Sequence, residues 1–91
     1  MTGFGFRILA HVVTSSFDEG EGVLIDLETR RYYQLNETAM FVVNALMEQQ
    51  SRDALVARLV ARYQVSEGTV EASIDRTLQE MSALGFLSPA P

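Results

Sequence analysis

The chain has 91 residues, enough for one domain with a single core and too few for two. Hydrophobic residues make up 47% of it and charged residues 21%, a globular composition and not that of a disordered chain. The formal charge of −5 disfavours non-specific binding to nucleic-acid phosphates. The absence of cysteine excludes disulfides, thiolate metal sites and thiol nucleophiles.

Two further features concern the cellular compartment. No stretch approaches the ~20 apolar residues that a membrane span requires. The apolar run from Phe4 to Val13 is interrupted by Arg7 and His11 and does not have the pattern of a secretory signal. We therefore expect a cytoplasmic protein with no membrane partner.

Residues 7–35 have a sequence pattern typical of β-structure. Arg7–Thr14, Val23–Leu27 and Arg31–Leu35 are short apolar or β-branched runs separated by polar, glycine-containing or charged segments, so each is predicted to be a strand. The last two runs are close enough to form a hairpin.

The alternation within that hairpin predicts which side chains are buried. Ile25 and Leu27 share one face of their strand, and Tyr33 and Leu35 share one face of the next. We expect these four residues to meet on a common buried face.

Residues 36–85 have helical periodicity. Asn36, Ser51 and Ser66 each precede such a segment and are predicted N-caps, and Gly85 is the predicted left-handed residue after the last helix. The apolar stripes of the three helices are predicted to be Ala39, Val42, Val43, Leu46 and Met47; Leu55, Val56, Leu59, Val60 and Tyr63; and Val70, Ile74, Thr77, Leu78, Met81 and Leu84. Residues 88–91 are expected to be a frayed tail.

This order of elements defines the predicted fold. We expect one α+β domain over residues 1–91, with a three-stranded antiparallel sheet within residues 7–35 followed by three helices. The layout is that of a winged helix-turn-helix with its sheet at the N-terminal side.

The sequence offers little for catalysis. His11 lies in a strand-like run, where a structural role is the simpler interpretation. Asp18, Glu19 and Glu21 lack the glycine and the closing glutamate of a calcium loop. We therefore predict a binding module with no catalytic residues, no metal and no cofactor.

An exposed sheet edge could provide the binding site. If Arg31–Leu35 is an edge strand, its unpaired backbone groups could accept an incoming peptide strand. The third helix would form a second wall, with Ile74, Leu78 and Met81 beside the tyrosines of the strand.

Three segments carry a resemblance to a known family. Gly22–Asp26 (GVLID), Arg31–Asn36 (RYYQLN) with the helix that follows it, and the closing Leu84-Gly85-Phe86-Leu87 resemble the PqqD-like family over about residues 8–87. The most specific part is Tyr33-Gln34-Leu35-Asn36.

The resemblance implies a function. Members of this family are recognition elements for ribosomally synthesised and post-translationally modified peptides (RiPPs). The leader of a precursor peptide adds as a fourth strand to the third strand, beside the third helix. The element is a non-catalytic adaptor, or peptide chaperone, of natural product biosynthesis. It presents the precursor to a modifying enzyme such as a radical S-adenosylmethionine enzyme, a leader protease or a cyclase.

The resemblance also implies which residues bind the peptide, on the third strand and the third helix. They are Arg31, Tyr32, Tyr33, Gln34 and Leu35, with Val70, Ile74, Thr77, Leu78 and Met81. The glycine usual in the family's hairpin is replaced here by Thr29-Arg30-Arg31, which adds positive charge that would suit an acidic leader.

Two other functions stay open from the sequence. A winged helix DNA-binding regulator would need a basic third helix, whereas this one exposes Glu71, Asp75 and Glu80 against Arg76. A strand-exchanged oligomerisation module, such as a homodimer, would satisfy the edge without a peptide and could bury Phe41 at its interface.

Overall fold

The computed structural model describes residues 4–17 and 20–89, and the predicted acidic residues Asp18 and Glu19 lie outside them. The described residues form five strands and three helices. In chain order these are β1 Phe6–Ile8, β2 Val12–Ser16, β3 Gly22–Asp26, β4 Arg31–Leu35, α1 Glu37–Met47, α2 Arg52–Tyr63, α3 Glu67–Ala83 and β5 Leu87–Pro89.

The predicted three-stranded sheet is confirmed. Its strands are antiparallel in the order β2-β3-β4, and the three helices follow it in the chain. In the register of the hairpin, Leu24 pairs with Tyr33 and Ile25 with Tyr32. The α+β class and the order of sheet and helices are therefore as predicted.

The prediction of one strand over Arg7–Thr14 is wrong in its extent. The chain turns between β1 and β2, where the Val12 amide donates to the Leu9 carbonyl at 3.0 Å. β1 instead pairs with β5 in a second, two-stranded antiparallel sheet. The predicted frayed tail is thus a strand as far as Pro89, and residues 90–91 lie outside the described part of the chain.

The predicted buried face of β3 is also wrong. Leu24 is fully buried and Asp26 is 5% exposed, whereas Leu27 is 58% exposed and Ile25 is only partly buried. The polar Asp26 takes the inward position because its carboxylate caps the following turn, accepting from the amides of Glu28 at 2.9 Å and Thr29 at 3.1 Å. Since strand side chains alternate, Ile25 and Leu27 lie on the opposite face from Leu24 and Asp26.

The predicted helix ends are confirmed by their hydrogen bonds. Asn36 Oδ1 accepts from the Ala39 amide at 2.8 Å, and Ser51 and Ser66 make the equivalent bonds at the start of α2 and α3. Gly85 has φ of 81°, and the Phe86 amide donates back to the Met81 carbonyl at 3.0 Å, as a left-handed helix ending requires.

The core lies between the inward face of the sheet and the three helices. Most of the predicted apolar stripes are buried, but Met47 is 52% exposed and Met40 takes an inward position instead. The fully buried large side chains are Phe86, Leu24, Leu35, Leu55, Leu59, Ile74, Met81, Val42 and Val43. In the described part of the chain, no helix is both long enough and apolar enough to cross a membrane.

A candidate peptide-binding edge

β4 lies at the edge of the three-stranded sheet. It pairs with β3 on one side, and within residues 4–17 and 20–89 no strand pairs with its other side. An edge strand presents backbone N–H and C=O groups that another strand can pair with. The structure therefore provides the free edge that the sequence interpretation required.

A polar cleft of about 370 Å³ opens between β4, the start of α1 and α3. Of its lining residues, Ala39 alone lacks a polar side chain group. The lining residues are Tyr33, Gln34, Asn36, Thr38, Ala39, Ser73, Arg76, Thr77 and Glu80.

One hydrogen bond joins the two walls of this cleft. The hydroxyl of Tyr33, on β4, donates to Glu80 Oε1, on α3, at 2.6 Å. This bond is the main reason why the pKa of Tyr33 is raised to about 12, with burial and the negative charge of Glu80 adding to it. The phenol is therefore a donor at any physiological pH and ties the strand to the helix.

The predicted strand residues are brought together along this edge. Tyr33 and Gln34 line the cleft, Tyr32 is 74% exposed on the other face of the sheet, and Arg31 is exposed at the start of the strand. Leu35 is 1% exposed and lies in the core.

The predicted helix residues lie mostly behind the cleft. Val70, Ile74, Leu78 and Met81 are buried at 6% exposure or less and belong to the core, and among the five predicted helix residues only Thr77 lines the cleft beside β4. Val70 also borders a separate hollow between α2 and α3. Apolar periodicity thus identified the side of α3 that faces the core.

Sequence reasoning missed the side of α3 that faces the cleft. Ser73, Arg76 and Glu80 have the spacing i, i+3, i+7, and with Thr77 they form one stripe next to the buried one. That spacing was available in the sequence, but a polar stripe on a helix usually indicates a solvated face. A stripe that lines a cleft can be told from a solvated one only by the element opposite it, which here is β4.

The turn before β4 takes a left-handed conformation without a glycine. Arg30 adopts a left-handed conformation with φ of 64°, and its amide donates to the Asp26 carbonyl at 2.7 Å. The backbone hydrogen bonds from Thr29 and Glu28 hold the pKa of the Asp26 carboxyl below its usual value, against the effect of burial. Asp26 therefore organises this turn as a carboxylate.

The lone histidine lies beside the same turn. His11 Nε2 is 3.5 Å from Asp26 Oδ2, and its Nδ1 is 3.6 Å from Glu28 Oε2. Within the described residues, no group of three or more His, Cys, Asp or Glu side chains is placed to hold a metal ion.

The arginines of α2 are used in contacts between helices. Arg52 contacts Glu71 and Asp75 of α3 at 2.8 Å each, and Arg62 contacts Glu37 of α1 at 2.8 Å. These two arginines do not form a free basic patch, so no observation here favours binding to DNA.

Phe41, the residue suggested for an oligomer interface, is covered within the chain. Tyr63 packs edge-on against its ring with centroids 6.5 Å apart, and the guanidinium groups of Arg58 and Arg62 lie 5.2 and 5.7 Å from the ring centroid. Its ring is partly buried and already packs against side chains of α2.

Two solved structures share this fold. TbiB1 in complex with the TbiA(beta) leader peptide is 26% identical to this chain, with a TM-score of 0.82 over 93% of this chain and 98% of that one. A lasso peptide synthetase B1 complexed with the leader peptide is 27% identical, with a TM-score of 0.82 over 93% and 99%. No curated protein matches the chain significantly.

The sequence itself matches one family. Residues 21–87 match PqqD, described as coenzyme PQQ synthesis protein D. The match covers well over half of the 91 residues and includes β3, β4 and all three helices. The chain therefore belongs to the PqqD family.

Proposed function

We propose that the chain binds the leader of a ribosomally made precursor peptide by adding it as a fourth strand beside β4. The single observation that carries the proposal is the free edge of β4 facing a cleft against α3. Both similar structures were solved as complexes with leader peptides, which supports the same class of ligand for this chain.

The energetics of strand addition explain why the cleft matters. Each added backbone hydrogen bond is worth only about 0.5–1.5 kcal/mol net, and ordering a flexible peptide offsets much of this. Side-chain contacts must therefore supply the rest of the affinity and all of the sequence preference. Tyr32 on one face of the edge and the cleft beside Tyr33 on the other are placed to do so.

We further propose that the chain acts as a non-catalytic adaptor. The bound leader would hold the rest of the precursor near a modifying enzyme, such as a radical S-adenosylmethionine enzyme, a leader protease or a cyclase. Under this proposal the chain supplies binding energy and position, and the partner supplies every reacting group.

The proposal is tested by titrating the isotopically labelled protein with the leader of a precursor encoded beside its gene. We expect amide shifts concentrated in β4 and in the cleft-facing side of α3, with a scrambled leader as the control. A leader that binds without perturbing β4 would refute the site. Failure of every neighbouring leader to bind would refute the function.

A matched pair of modified leaders tests strand addition without changing the protein. One leader is N-methylated at its odd-numbered residues and the other at its even-numbered ones, so that only one of them loses the amides facing β4. We expect that leader to bind roughly ten- to a thousandfold more weakly, since two or three hydrogen bonds are lost. Equal affinity of the two would contradict strand addition.

Light scattering separates this proposal from self-association. Strand exchange between copies would produce a dimer without leader, and leader binding would then compete with it. We expect instead a monomer in the absence of leader, and a mass larger by one peptide when leader is added.

A further inference from the structure

The cleft beside β4 contains an arginine that has no ion pair with any described residue. Arg76 lies on the cleft-facing stripe of α3, one helical turn before Glu80. It is exposed, and none of the ion pairs among residues 4–17 and 20–89 includes it. An arginine in a cleft next to a free strand edge is well placed to recognise a ligand.

The acidic residues around Arg76 already have other partners. Glu80 accepts the hydroxyl of Tyr33 at 2.6 Å. Glu71 and Asp75, on the neighbouring side of α3, are both held by Arg52 at 2.8 Å. The carboxylates nearest in sequence therefore have other hydrogen-bond partners, and no side-chain hydrogen bond or ion pair joins any of them to Arg76.

The other polar groups of the cleft are partly occupied as well. The Thr77 hydroxyl donates to the Ser73 carbonyl at 3.0 Å, and Asn36 Oδ1 accepts the Ala39 amide at 2.8 Å. Arg76 is the one cation among the described residues that line the cleft. Its planar guanidinium matches the two oxygens of a carboxylate and can bind both.

We propose that Arg76 selects leader peptides that carry an aspartate or glutamate at the position whose side chain enters this cleft. The inference rests on the proposed function, because it requires the leader to pair with β4. In an added strand every second side chain points toward the cleft, so the acidic residue occupies one defined position.

The overall charge of the chain works against this preference only weakly. The net charge of −5 repels an acidic peptide, but charges farther apart than about 8–10 Å are largely screened at physiological ionic strength. A direct contact with Arg76 acts within that distance. Arg30, in the turn before β4, and Arg31, at the start of β4, are both exposed and add positive charge near the same edge.

The test uses a displayed library of random peptides, each long enough to span the five residues of β4. The library is selected on the wild-type protein, on Arg76→Glu and on Arg58→Glu. Arg58 lies over Phe41, outside the cleft, and its substitution changes the net charge by the same amount. Thermal melting confirms that each variant is folded, and amide shifts show where the selected peptides bind.

The expected result is an acidic residue at one fixed position in the peptides selected by the wild type and by Arg58→Glu. Arg76→Glu should lose this preference or exchange it for lysine and arginine. In a double-mutant cycle between Arg76→Gln and the amide form of that acidic residue, we expect a coupling of roughly tenfold in affinity.

The other outcomes separate the two proposals. Peptides that bind at β4 without an acidic preference, or with the same preference in Arg76→Glu, would overturn the role of Arg76 and leave strand addition intact. Peptides that bind only away from β4, or no selection of peptides at all, would overturn the proposed function and this inference with it.

Discussion

The three-stranded sheet has two outer strands, and they differ in what lies beside them. β2 and β4 each have five residues and each pair with β3. A hollow of similar volume lies near each, about 340 Å³ by Val12 at the start of β2 and about 370 Å³ beside β4. Neither length nor volume therefore distinguishes the two edges.

The chemistry around the two edges does distinguish them. Six of the eight residues that line the hollow near β2 have apolar side chains, and they come from β1, the β1–β2 turn, the start of β2 and the end of α1. Met47 of this lining accepts the Thr14 hydroxyl. The cleft beside β4 is lined mainly by polar side chains of β4, the start of α1 and α3, with Tyr33 joined to Glu80. In strand addition the backbone hydrogen bonds are the same for any sequence, so the side chains beside the edge decide which peptide binds.

The largest expected effect comes from a substitution on β3, the strand with which both outer strands pair. Gly22 is on β3, between the two outer strands, and a Cβ there would lie 2.6 Å from both the Ser15 carbonyl oxygen and Met40 Sδ. We expect Gly22→Ala to cost about 1–3 kcal/mol of unfolding free energy, because the backbone contact cannot relax easily. Thermal unfolding followed by circular dichroism measures the loss.

Gly68→Ala is the matched control for that substitution. A Cβ on Gly68 would have a single neighbour, Ser66 Oγ, at 4.0 Å, and alanine favours the helical conformation of α3. The control should be neutral or slightly stabilising. If Gly22→Ala melts at the same temperature as Gly68→Ala, the tight packing of β3 against β2 is not as described.

A smaller effect should be confined to the β4 edge. Because the pKa of Tyr33 is raised to about 12, the Tyr33–Glu80 hydrogen bond contributes its stability below about pH 10 and loses it as the pH rises toward 12. Ultraviolet absorbance of phenolate in a Tyr32→Phe/Tyr63→Phe background reports the titration of Tyr33 alone. Adding Glu80→Gln should return the pKa of Tyr33 toward 10. A Tyr33 that already titrates near 10 with Glu80 present would show that the two walls are not joined.

The smallest effect concerns the turn that leads into β4. The lowered pKa of Asp26 means that its charged form stabilises the fold above about pH 4, and that this contribution is lost as the pH falls through the lower pKa of the native state. Asp26→Asn keeps an acceptor but has no charge to lose. Urea unfolding at a series of pH values should therefore show the difference between wild type and variant shrinking below pH 4, whereas a constant difference would argue against a structural carboxylate.

Local features of this fold could be predicted from the sequence. The caps at Asn36, Ser51 and Ser66 depend on a side chain and an amide three residues away, so sequence alone specifies them. The same holds for Gly85, whose left-handed conformation ends α3.

Features that depend on tertiary partners could not be predicted. The pattern of Ile25 and Leu27 indicated the wrong buried face. Asp26 can take the inward position because hydrogen bonds from the following turn offset the cost of burying its carboxylate. The pairing of β1 with β5 joins the two ends of the chain, which periodicity does not report. The cleft-facing side of α3 was recognisable only once β4 was placed opposite Arg76 and Glu80.

Hydrogen–deuterium exchange with and without leader compares the two edges most directly. If the leader adds as a fourth strand, backbone amides of β4 gain protection on binding, while those of β2 exchange at the same rate in both samples. Protection confined to β2, or binding without added protection in β4, would contradict the assignment of the peptide to the β4 edge.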